Sequence, residues 1–367
     1  MEKIIKQCIG IDVSQKEIDV SFGTYGLDQS IKLQESKKFK NDEKGFSKFL
    51  NWSLKISNKE IPLFFVMEAT GVYHECLACF LYDQEQKVIV VLPNRASNYA
   101  KTLEVKTVTD KEASKSLTKM GLEKKMDLWV KPDPVFNNLK QLTREREQLQ
   151  KAKTVTKNQI HAESKSAWVN TESIKRAKKR LKLLEIQIDE IEKEIQSFVK
   201  TKPSLEKKLN FITSIKGVGL ITAVTVIGET NGFTSIKNKR QLVSYAGYDV
   251  IKKDSGTSVH SKPRISKKGN KHIRKAMHFP ALCSIRHDEQ NKDMFIRMVQ
   301  KHGIKMKAAV AIQRKLLVLI YTLWKKEENF DPNFLSQDLE KNRAACATLN
   351  ELDINPLNES IKILQQN

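Results

Sequence analysis

The chain has 367 residues and carries 65 Lys and Arg against 43 Asp and Glu, a formal net charge of +22 at pH 7. This length exceeds what one ordinary hydrophobic core accommodates and indicates two or three domains. The charge excess favours a polyanionic partner, above all nucleic acid. No apolar run is long enough to span a bilayer, and the start of the chain lacks the apolar segment of a signal peptide, so we expect a cytoplasmic protein with no membrane partner. The five scattered cysteines form neither a disulfide framework nor a paired zinc-ligand pattern.

Residues 1 to about 125 alternate between strand-like and helical segments. Strands are predicted near residues 4–13, 18–24, 30–39, 61–68 and 87–92, and helices near 43–57, 72–84, 94–102 and 109–121. Consecutive short strands followed by strand–helix alternation predict a mixed sheet covered by helices. Pro132 and Pro134 mark the end of this region.

Two of the predicted core strands end in a carboxylate. Asp12 follows the apolar run that starts at Ile9, and Glu68 follows the run that starts at Pro62. A strand with an acidic tip can aim that group at a metal ion, and Mg²⁺ is usually held by one or two carboxylates together with substrate phosphates. The alternative is that both acids only cap strand ends or bind turn amides. Spacing alone leaves both interpretations open.

From Asn137 to Val199 the chain contains no Gly or Pro, and Leu and Ile recur at roughly helical spacing. This pattern predicts two long antiparallel helices that turn near residues 168–172 and form a coiled coil. A plain helical spacer is the alternative. A seam of apolar residues with charged flanks favours an arm that dimerises or scaffolds, because such a seam needs a partner face.

A compact helical domain is predicted beyond Pro203. Gly217 and Gly219 lie in a tight turn between two apolar segments, which is the pattern of a helix–hairpin–helix motif. Turn amides at the start of a helix can bind a phosphate. The alternative is a turn that is only packed.

The segment from Ile251 to Arg274 holds eight basic residues and one acidic residue, Asp254. Ser255 precedes Gly256, so its hydroxyl has room for a close approach, and surrounding cations would neutralise charge during attack on a phosphodiester. Taken alone, Ser255 is one turn serine among several, and no Ser–His–Asp spacing accompanies it. The predicted nucleic-acid-binding residues are Lys252, Lys253, Lys262, Arg264, Lys267, Lys268, Lys271, Arg274, Gly217 and Gly219.

Seven short motifs occur in a fixed order along the chain. They are Ile9–Ser14, Met67–Gly71, Thr109–Asp110, Ser214–Gly219, Gln241–Gly247, Ser255–Gly256 and Arg264–Asn270. As an ordered set over about residues 5–325, they resemble the insertion-sequence transposases of the IS110 family, the bridge-RNA-guided DNA recombinases. The resemblance implies an α/β plus all-α fold with four parts. These are an RNase-H-type, RuvC-like DEDD domain at 1–128, a coiled-coil arm at 135–202, a helical transposase domain with a serine loop at 206–328 and a tail at 329–367.

The resemblance also implies roles for single residues. Asp12, Glu68 and Asp110 match the first three acids of the DEDD set, and Ser255 matches the nucleophile. The fourth acid is expected three residues after the third, where this chain has Ala113. The adjacent Glu112 is a weak metal-ligand candidate because helical geometry turns it about 100° away.

The implied cofactor and partners follow from the same resemblance. They are Mg²⁺, donor and target DNA, a guide RNA, and further copies of the chain in a dimer or tetramer. The implied location is the bacterial cytoplasm, in association with the nucleoid.

The predicted function is site-specific recombination by the transposase of an insertion element, with Ser255 cutting and rejoining DNA beside a Mg²⁺-binding acidic site. One rival is a metal-dependent junction resolvase or nuclease in which Ser255 is only a turn residue. Another is a nucleic-acid-binding scaffold with decayed sites, an alternative that the departure at Ala113 leaves open. A covalent protein–DNA adduct distinguishes the recombinase, because neither rival forms one.

Overall fold

The computed structural model describes residues 3–103, 109–252, 254–255, 259–260 and 263–331. The chain divides into two compact units, Met1–Pro132 and Asp133–Asn367. Across the described ranges, no helix is both long and apolar enough to cross a membrane.

The first unit is built on a mixed five-stranded sheet in the order β3-β2-β1-β4-β5. Its strands are β1 (Ile4–Val13), β2 (Glu17–Gly26), β3 (Ile31–Lys40), β4 (Leu63–Glu68) and β5 (Lys87–Val91). The first three strands form an antiparallel meander, β4 runs parallel to β1, and β5 runs parallel to β4. The predicted strands are confirmed to within about two residues at each end.

Helices cover both faces of this sheet. They are α1 (Glu43–Ile56), α2 (Glu75–Asp83), α3 (Pro93–Thr102) and α4 (Asp110–Glu123). Alternation along β1 sends Ile9 and Ile11 into a core shared with α1 and α2, whereas Cys8 belongs to the core on the side of α3 and α4. The prediction of a mixed sheet covered by helices is therefore confirmed.

Helix α4 crosses β1 at very short range. A Cβ atom on Gly10 would lie 2.2 Å from the carbonyl oxygen of Ser114, so glycine is needed at this crossing. The Thr118 hydroxyl accepts a hydrogen bond from the Gly10 amide (3.0 Å) and donates one to the Ser21 carbonyl (2.8 Å). Gly121, further along α4, contacts Cys8. Helix α4 thus runs antiparallel to β1, with its first turn directed toward the end of that strand.

The second unit begins with two long helices, α5 (Pro134–Ser164) and α6 (Thr171–Lys200). The ion pairs Arg146–Glu192 (2.6 Å) and Lys153–Glu185 (3.0 Å) show that the two helices run antiparallel, because one residue number rises as the other falls. We call this pair the helical hairpin. Its base belongs to the core of the second unit, since Leu139 and Ile195 are fully buried there.

The remaining helices pack around the hairpin base. They are α7 (Pro203–Thr213), α8 (Leu220–Glu229), α9 (Lys239–Tyr245), α10 (Lys271–Ala276), α11 (His278–His287), α12 (Glu289–His302) and α13 (Lys305–Lys326). Helix α13 lies in the core, where Ile312, Leu316 and Ile320 are buried. Apolar residues on both sides of the hairpin base therefore share one core with the C-terminal helices.

Two small antiparallel sheets interrupt the helices. Strand β6 (Val250–Ile251) pairs with β9 (Arg264–Ile265), and β7 (Asp254–Ser255) pairs with β8 (Val259–His260). The segment predicted as a serine loop in a helical domain thus contains two short strand pairs that were not predicted. Strands of two residues are too short to produce the alternating pattern by which a strand is recognised in a sequence.

Candidate active site

Three carboxylates share one face at the end of β1. Ile11 is paired with Met67 in the parallel β1–β4 register, so Asp12 and Glu68 are neighbours one residue further along each strand. Asp12 is also paired directly with Asp19 across the antiparallel β1–β2 register. Residues that are in register on adjacent strands project to the same face of the sheet. That face is the one covered by α4, because Ile11 and Met67 point into the opposite core.

Asp110 is the first residue of α4. The Thr109 hydroxyl accepts a hydrogen bond from the Glu112 amide (3.3 Å) and caps the helix at this point. Because α4 runs antiparallel to β1 and crosses it at Gly10, its first turn lies beyond that crossing, in the direction of Asp12. The packing of α4 therefore brings a fourth carboxylate toward the three on the sheet.

The charges of these acids interact. Burial raises the pKa of Asp12 to about 6, and the negative charges of Asp110, Glu68 and Asp19 contribute to that rise. Burial also raises the pKa of Glu68. Carboxylate oxygens are the donors that a hard divalent cation prefers, and a cation would relieve this repulsion. The donor type therefore fits Mg²⁺.

The positions of the carboxylate oxygens fit a bound Mg²⁺ less well than their chemical type does. Among the described residues, no group of three or more His, Cys, Asp or Glu side chains converges closely enough to hold one metal ion. The carboxylates therefore interact electrostatically, but their oxygen atoms do not converge on a single point.

Glu112 does not join this group. Its carboxylate pairs with Lys115 at 2.7 Å, one turn further along the same helix. In the described part of the chain, Glu112 is not among the groups whose charges raise the pKa of Asp12. Asp19, which sequence reasoning did not single out, takes its place as the fourth acid nearby and contacts Lys38 at 3.4 Å. The pairing of Asp19 with Asp12 depends on the register of β1 and β2, which the turn between them and the burial pattern of both strands set together.

Replacing Asp12 with Asn should stabilise the first unit above about pH 6. Because the pKa of Asp12 is raised from 3.8 to about 6, its ionised form disfavours the fold; this penalty is small at pH 4 and complete above the folded-state pKa. We expect the gain in unfolding free energy to grow from near zero at pH 4 to roughly 1 kcal/mol at pH 8, after screening by solvent at this half-buried site. Thermal unfolding between pH 4 and pH 8, in the presence of a chelator, measures it.

Glu112→Gln is the matched control, because its carboxylate pairs with the half-buried Lys115 outside the acidic group. It should give no pH-dependent gain. An equal gain for Asp12→Asn at pH 4 and pH 8 would contradict the raised pKa.

The serine segment forms a small β-hairpin. Ser255 lies in β7, with its backbone paired to Val259 in β8. The neighbouring Lys252 pairs with Asp254. Lys253 and Lys262, two of the predicted nucleic-acid-binding residues, lie outside the described residues. Arg264 lies in β9 and is exposed.

The cations that follow β9 divide into two groups. Lys267, Lys268 and Lys271 are exposed and available to a phosphate. Arg274 instead donates through Nη1 to the carbonyls of Ala246 (2.8 Å), Gly269 (3.1 Å) and Asn270 (3.3 Å). The Arg274 guanidinium therefore stabilises the backbone conformation of this segment through hydrogen bonds.

A buried carboxylate anchors the end of the basic segment. Glu229, at the end of α8, has a side chain that is 1% exposed and binds Arg144 of α5 through two hydrogen bonds of 2.6 and 2.9 Å. Asn270 donates to the same carboxylate at 2.6 Å, while its own oxygen caps α10 by accepting from the His272 and Ile273 amides. Burial alone would raise the pKa of Glu229, but these hydrogen bonds outweigh it and hold the pKa below its ordinary value. We call these three side chains the Glu229 network.

Two family models match the chain in succession. A DEDD-type model of IS110 elements, described as Transposase, matches residues 9–163. A second, described as Transposase IS116/IS110/IS902 family, matches residues 209–295. The first match contains Asp12, Glu68 and Asp110, and the second contains Ser255. The chain belongs to the IS116/IS110/IS902 transposase family. This transposase is accordingly a DNA-recombining enzyme.

Relatives are similar to this transposase over nearly their whole length. The pilin gene-inverting protein of Moraxella lacunata is 28% identical over 330 residues, which cover 89% of this chain and 98% of the relative. The pilin gene-inverting protein of Moraxella bovis is 27% identical over the same shares of the two chains. Among solved structures, the fowlpox virus Holliday junction resolvase is similar over 30% of this chain and 94% of its own, at 16% identity and a TM-score of 0.23.

The two predicted turn glycines of the transposase differ in their surroundings. Gly217 has a positive φ of 91°, and a Cβ there would lie 3.0 Å from Cys283 and from the Pro280 carbonyl in α11. Gly217 is thus required for packing. A Cβ on Gly219 would meet nothing within 4 Å, and Gly219 precedes α8 at the surface. Of the two, Gly219 is the one with room for a ligand.

Glu229→Gln should destabilise the transposase by about 2 kcal/mol, because it removes the charge from hydrogen bonds made by a buried carboxylate. The depressed pKa makes this contribution present above about pH 4.5 and lost as the pH falls through the folded-state value. Urea unfolding at pH 7 measures the difference. Glu185→Gln breaks the ion pair between the exposed Glu185 and the half-buried Lys153 and should cost about 0.5 kcal/mol or less. Equal losses in the two variants would contradict the special role of Glu229.

Proposed function

We propose that this transposase is an RNA-guided, site-specific recombinase of an insertion element, which cuts and rejoins DNA through Ser255. The observation that carries the proposal is the succession of two transposase regions in one chain, the first with Asp12, Glu68 and Asp110 and the second with Ser255. The inversion of pilin genes, for which the Moraxella relatives are named, is a reaction of this class.

The first region is proposed to be RuvC-like and to use its acids on DNA. The antiparallel meander followed by two parallel strands, and the acids gathered at the end of β1, support this assignment. Asp12, Glu68 and Asp110 would hold Mg²⁺, which supplies polarisation of a phosphoryl oxygen when bound. The mutual repulsion of these carboxylates supports the proposal, because a bound cation would relieve it.

The second region is proposed to carry the covalent step. The Ser255 hydroxyl attacks the phosphorus and loses its proton to a base or to solvent; an Oγ–P bond forms, the bond from phosphorus to one deoxyribose oxygen breaks, and that oxygen takes up a proton. Attack by a different deoxyribose hydroxyl on the serine phosphodiester reverses the step and joins new ends. One phosphoester replaces another throughout, so the exchange needs no external energy source. The cations Lys252, Arg264 and Lys267 would offset the negative charge of the phosphate.

Donor DNA, target DNA, a guide RNA and further copies of the chain are the proposed partners. The net charge of +22 supports the nucleic acids, and guidance would leave sequence recognition to base pairing. Leu183 and Ile186 of α6 are 55% and 46% exposed on the outside of the helical hairpin, which supports contact with a second copy. In that assembly, the acids of one subunit would act beside Ser255 of another.

A denaturing gel tests the covalent step. The wild-type transposase is incubated with Mg²⁺ and a nicked plasmid that carries the ends of the element. We expect a protein–DNA band that survives denaturant and disappears after protease. Cleavage without such a band would identify a metal-dependent nuclease or resolvase, and binding without cleavage would identify a scaffold.

Binding should depend strongly on salt and should include RNA. Each phosphate contact released lowers the logarithm of the affinity by roughly 0.9 per log unit of salt on duplex DNA and roughly 0.7 on single strands. We expect slopes steeper than about −4 for the wild-type chain between 50 and 300 mM salt, and we expect RNA transcribed from the flanking element to copurify with it. A nearly flat dependence would show that the positive charge does not serve the nucleic-acid backbone.

A further inference from the structure

Helix α6 changes charge along its length. Between Thr171 and Lys182 it carries six Lys and Arg against one Glu, whereas between Leu183 and Val199 it carries five Asp and Glu against one Lys. The acidic half is the part whose apolar seam is buried and whose Glu185 and Glu192 pair with α5. The basic half lies at the opposite end of the hairpin, next to the turn that joins the two helices.

Basic residues and one tryptophan define a surface at this end, which we call the hairpin tip. Its members are Lys157, Lys165, Trp168, Lys175, Arg176, Lys178, Lys179, Arg180 and Lys182. All of them are exposed. From residue 157 to residue 182, eight Lys and Arg face only two acids, Glu163 and Glu172.

Most of this charge is not compensated. Lys175 pairs with Glu172. No ion pair with any residue that the structure describes is formed by the other five cations of α6 in this region, which are Arg176, Lys178, Lys179, Arg180 and Lys182. Like charges recur at i,i+4 in Lys175–Lys179, Arg176–Arg180 and Lys178–Lys182, and such pairs destabilise a helix. This arrangement disfavours the isolated helix and suits a polyanion bound across it.

Trp168 distinguishes the tip from a merely solvated face. Its side chain lies in the turn between α5 and α6 and is 92% exposed. Within the described part of the chain, its ring makes no aromatic or cation–π contact. An exposed indole beside a row of cations is the combination that binds unpaired nucleic acid, because a base stacks on the ring while the cations contact the phosphates.

The hairpin tip is separate from the sites described above. Its turn and the whole of α6 fall between the two matched regions, which end at residue 163 and resume at residue 209. Leu142 is the last buried residue of α5 in the core of the second unit, and the end of α5 at Ser164 lies about 33 Å beyond it along the helix.

We infer that the hairpin tip binds a single-stranded segment of nucleic acid, with Trp168 stacking on a base and the α6 cations contacting its backbone. This inference rests on the proposed function only in taking nucleic acid as the partner. The same chemistry is offered by an unpaired stretch of RNA and by a displaced DNA strand. The hairpin then has two separate parts, a base that completes the core of the second unit and a tip that contacts nucleic acid.

Two variants of the full chain test the tip. The first replaces four cations of α6 together by Ala, namely Arg176, Lys178, Lys179 and Arg180. The second is Trp168→Ala, and Trp168→Phe is its conservative partner. Affinity is measured by fluorescence anisotropy against single-stranded DNA, single-stranded RNA of the same sequence and duplex DNA, from 50 to 300 mM salt. We expect the fourfold variant to reduce the salt slope for a single strand by up to about 3. We expect Trp168→Ala to lower single-strand affinity about 10-fold and Trp168→Phe to retain most of it.

A matched control removes four positive charges in and just after α1 instead of four from α6. Lys44, Lys48, Lys55 and Lys59 lie on or just after α1, all exposed, and their replacement by Ala lowers the net charge equally. This control should bind single strands as the wild-type chain does. Light scattering should give the same mass for the wild type and for all variants.

The possible outcomes distinguish a failure of the inference about the hairpin tip from a failure of the proposed function. A loss confined to RNA identifies a guide as the occupant, and a loss confined to single-stranded DNA identifies a displaced strand. Unchanged single-strand binding in both tip variants, an equal loss in the α1 control, or a loss confined to duplex DNA would overturn the inference. A fall in mass with unchanged binding would show that the tip contacts another copy of the chain. If the wild-type chain itself binds none of the three nucleic acids, the proposed function fails as well.

Discussion

Ser255→Ala is expected to eliminate strand exchange and the covalent protein–DNA band while retaining the affinity for DNA and RNA. The hydroxyl supplies the atom that forms the bond to phosphorus, and a methyl group cannot replace it. Affinity should change less than about twofold, because the neighbouring cations contribute the electrostatic attraction. The denaturing gel and an anisotropy titration on the same preparation measure both quantities.

Ser266→Ala is the control that the structure offers within the same segment. The Ser266 hydroxyl donates to the Asp249 carboxylate at 2.6 Å and accepts from the Lys268 amide, so it has a structural role and its loss should lower stability. The covalent band should persist in this variant. Ser258 and Ser261, which lie outside the described residues, are further controls from the basic segment. A band in Ser255→Ala, or its disappearance in Ser266→Ala alone, would show that the nucleophile is assigned to the wrong serine.

Asp12→Ala, Glu68→Ala and Asp110→Ala are each expected to lower recombination by at least ~100-fold without unfolding the first unit. Each change removes one hard oxygen donor from a set of interacting carboxylates. Charge stabilisation by a metal ion at a phosphoryl group is worth several kcal/mol, which corresponds to this loss of rate. Recombination of a marked plasmid measures the effect, and circular dichroism checks the fold.

Glu112→Ala is the matched control for the acids, since Glu112 lies two residues from Asp110 but pairs with Lys115. Recombination should remain within about twofold of the wild type. Ala113→Asp is the converse test and restores the residue that the family expects as its fourth acid. The affinity for Mg²⁺ should then rise or stay level. Undiminished activity in Asp12→Ala would refute the metal site.

The local patterns of the sequence were sufficient for the first unit. Runs of apolar residues that end in Asp12 and Glu68 gave the positions of β1 and β4. Each run is continuous because both faces of those strands are covered by helices. The uninterrupted segment after Asn137 likewise predicted two long helices, since it contains neither of the residues that end a helix. In these elements, the residues that define the structure are close together in the sequence.

The contacts that complete the candidate sites were not predictable in this way. Asp19 faces Asp12 only in the observed register of β1 and β2, and a shift of one residue would turn it to the other face. The Glu229 network joins residues separated by 85 and 41 positions, and nothing near Glu229 in the sequence distinguishes it from a surface acid.

The sequence by itself determined the strands and helices, the order of the motifs, the excess of positive charge and, through the family motifs, the transposase family. The tertiary structure alone decided which acids lie close enough at the end of β1 for their charges to interact, which arginine binds backbone carbonyls and which end of the hairpin is left exposed. The physical reason is the range of the interactions. Hydrophobic periodicity and helix capping act within a few residues, whereas the close crossing at Gly10, the burial of Glu229 and the exposure of Trp168 depend on segments that are distant in the chain and meet only after folding.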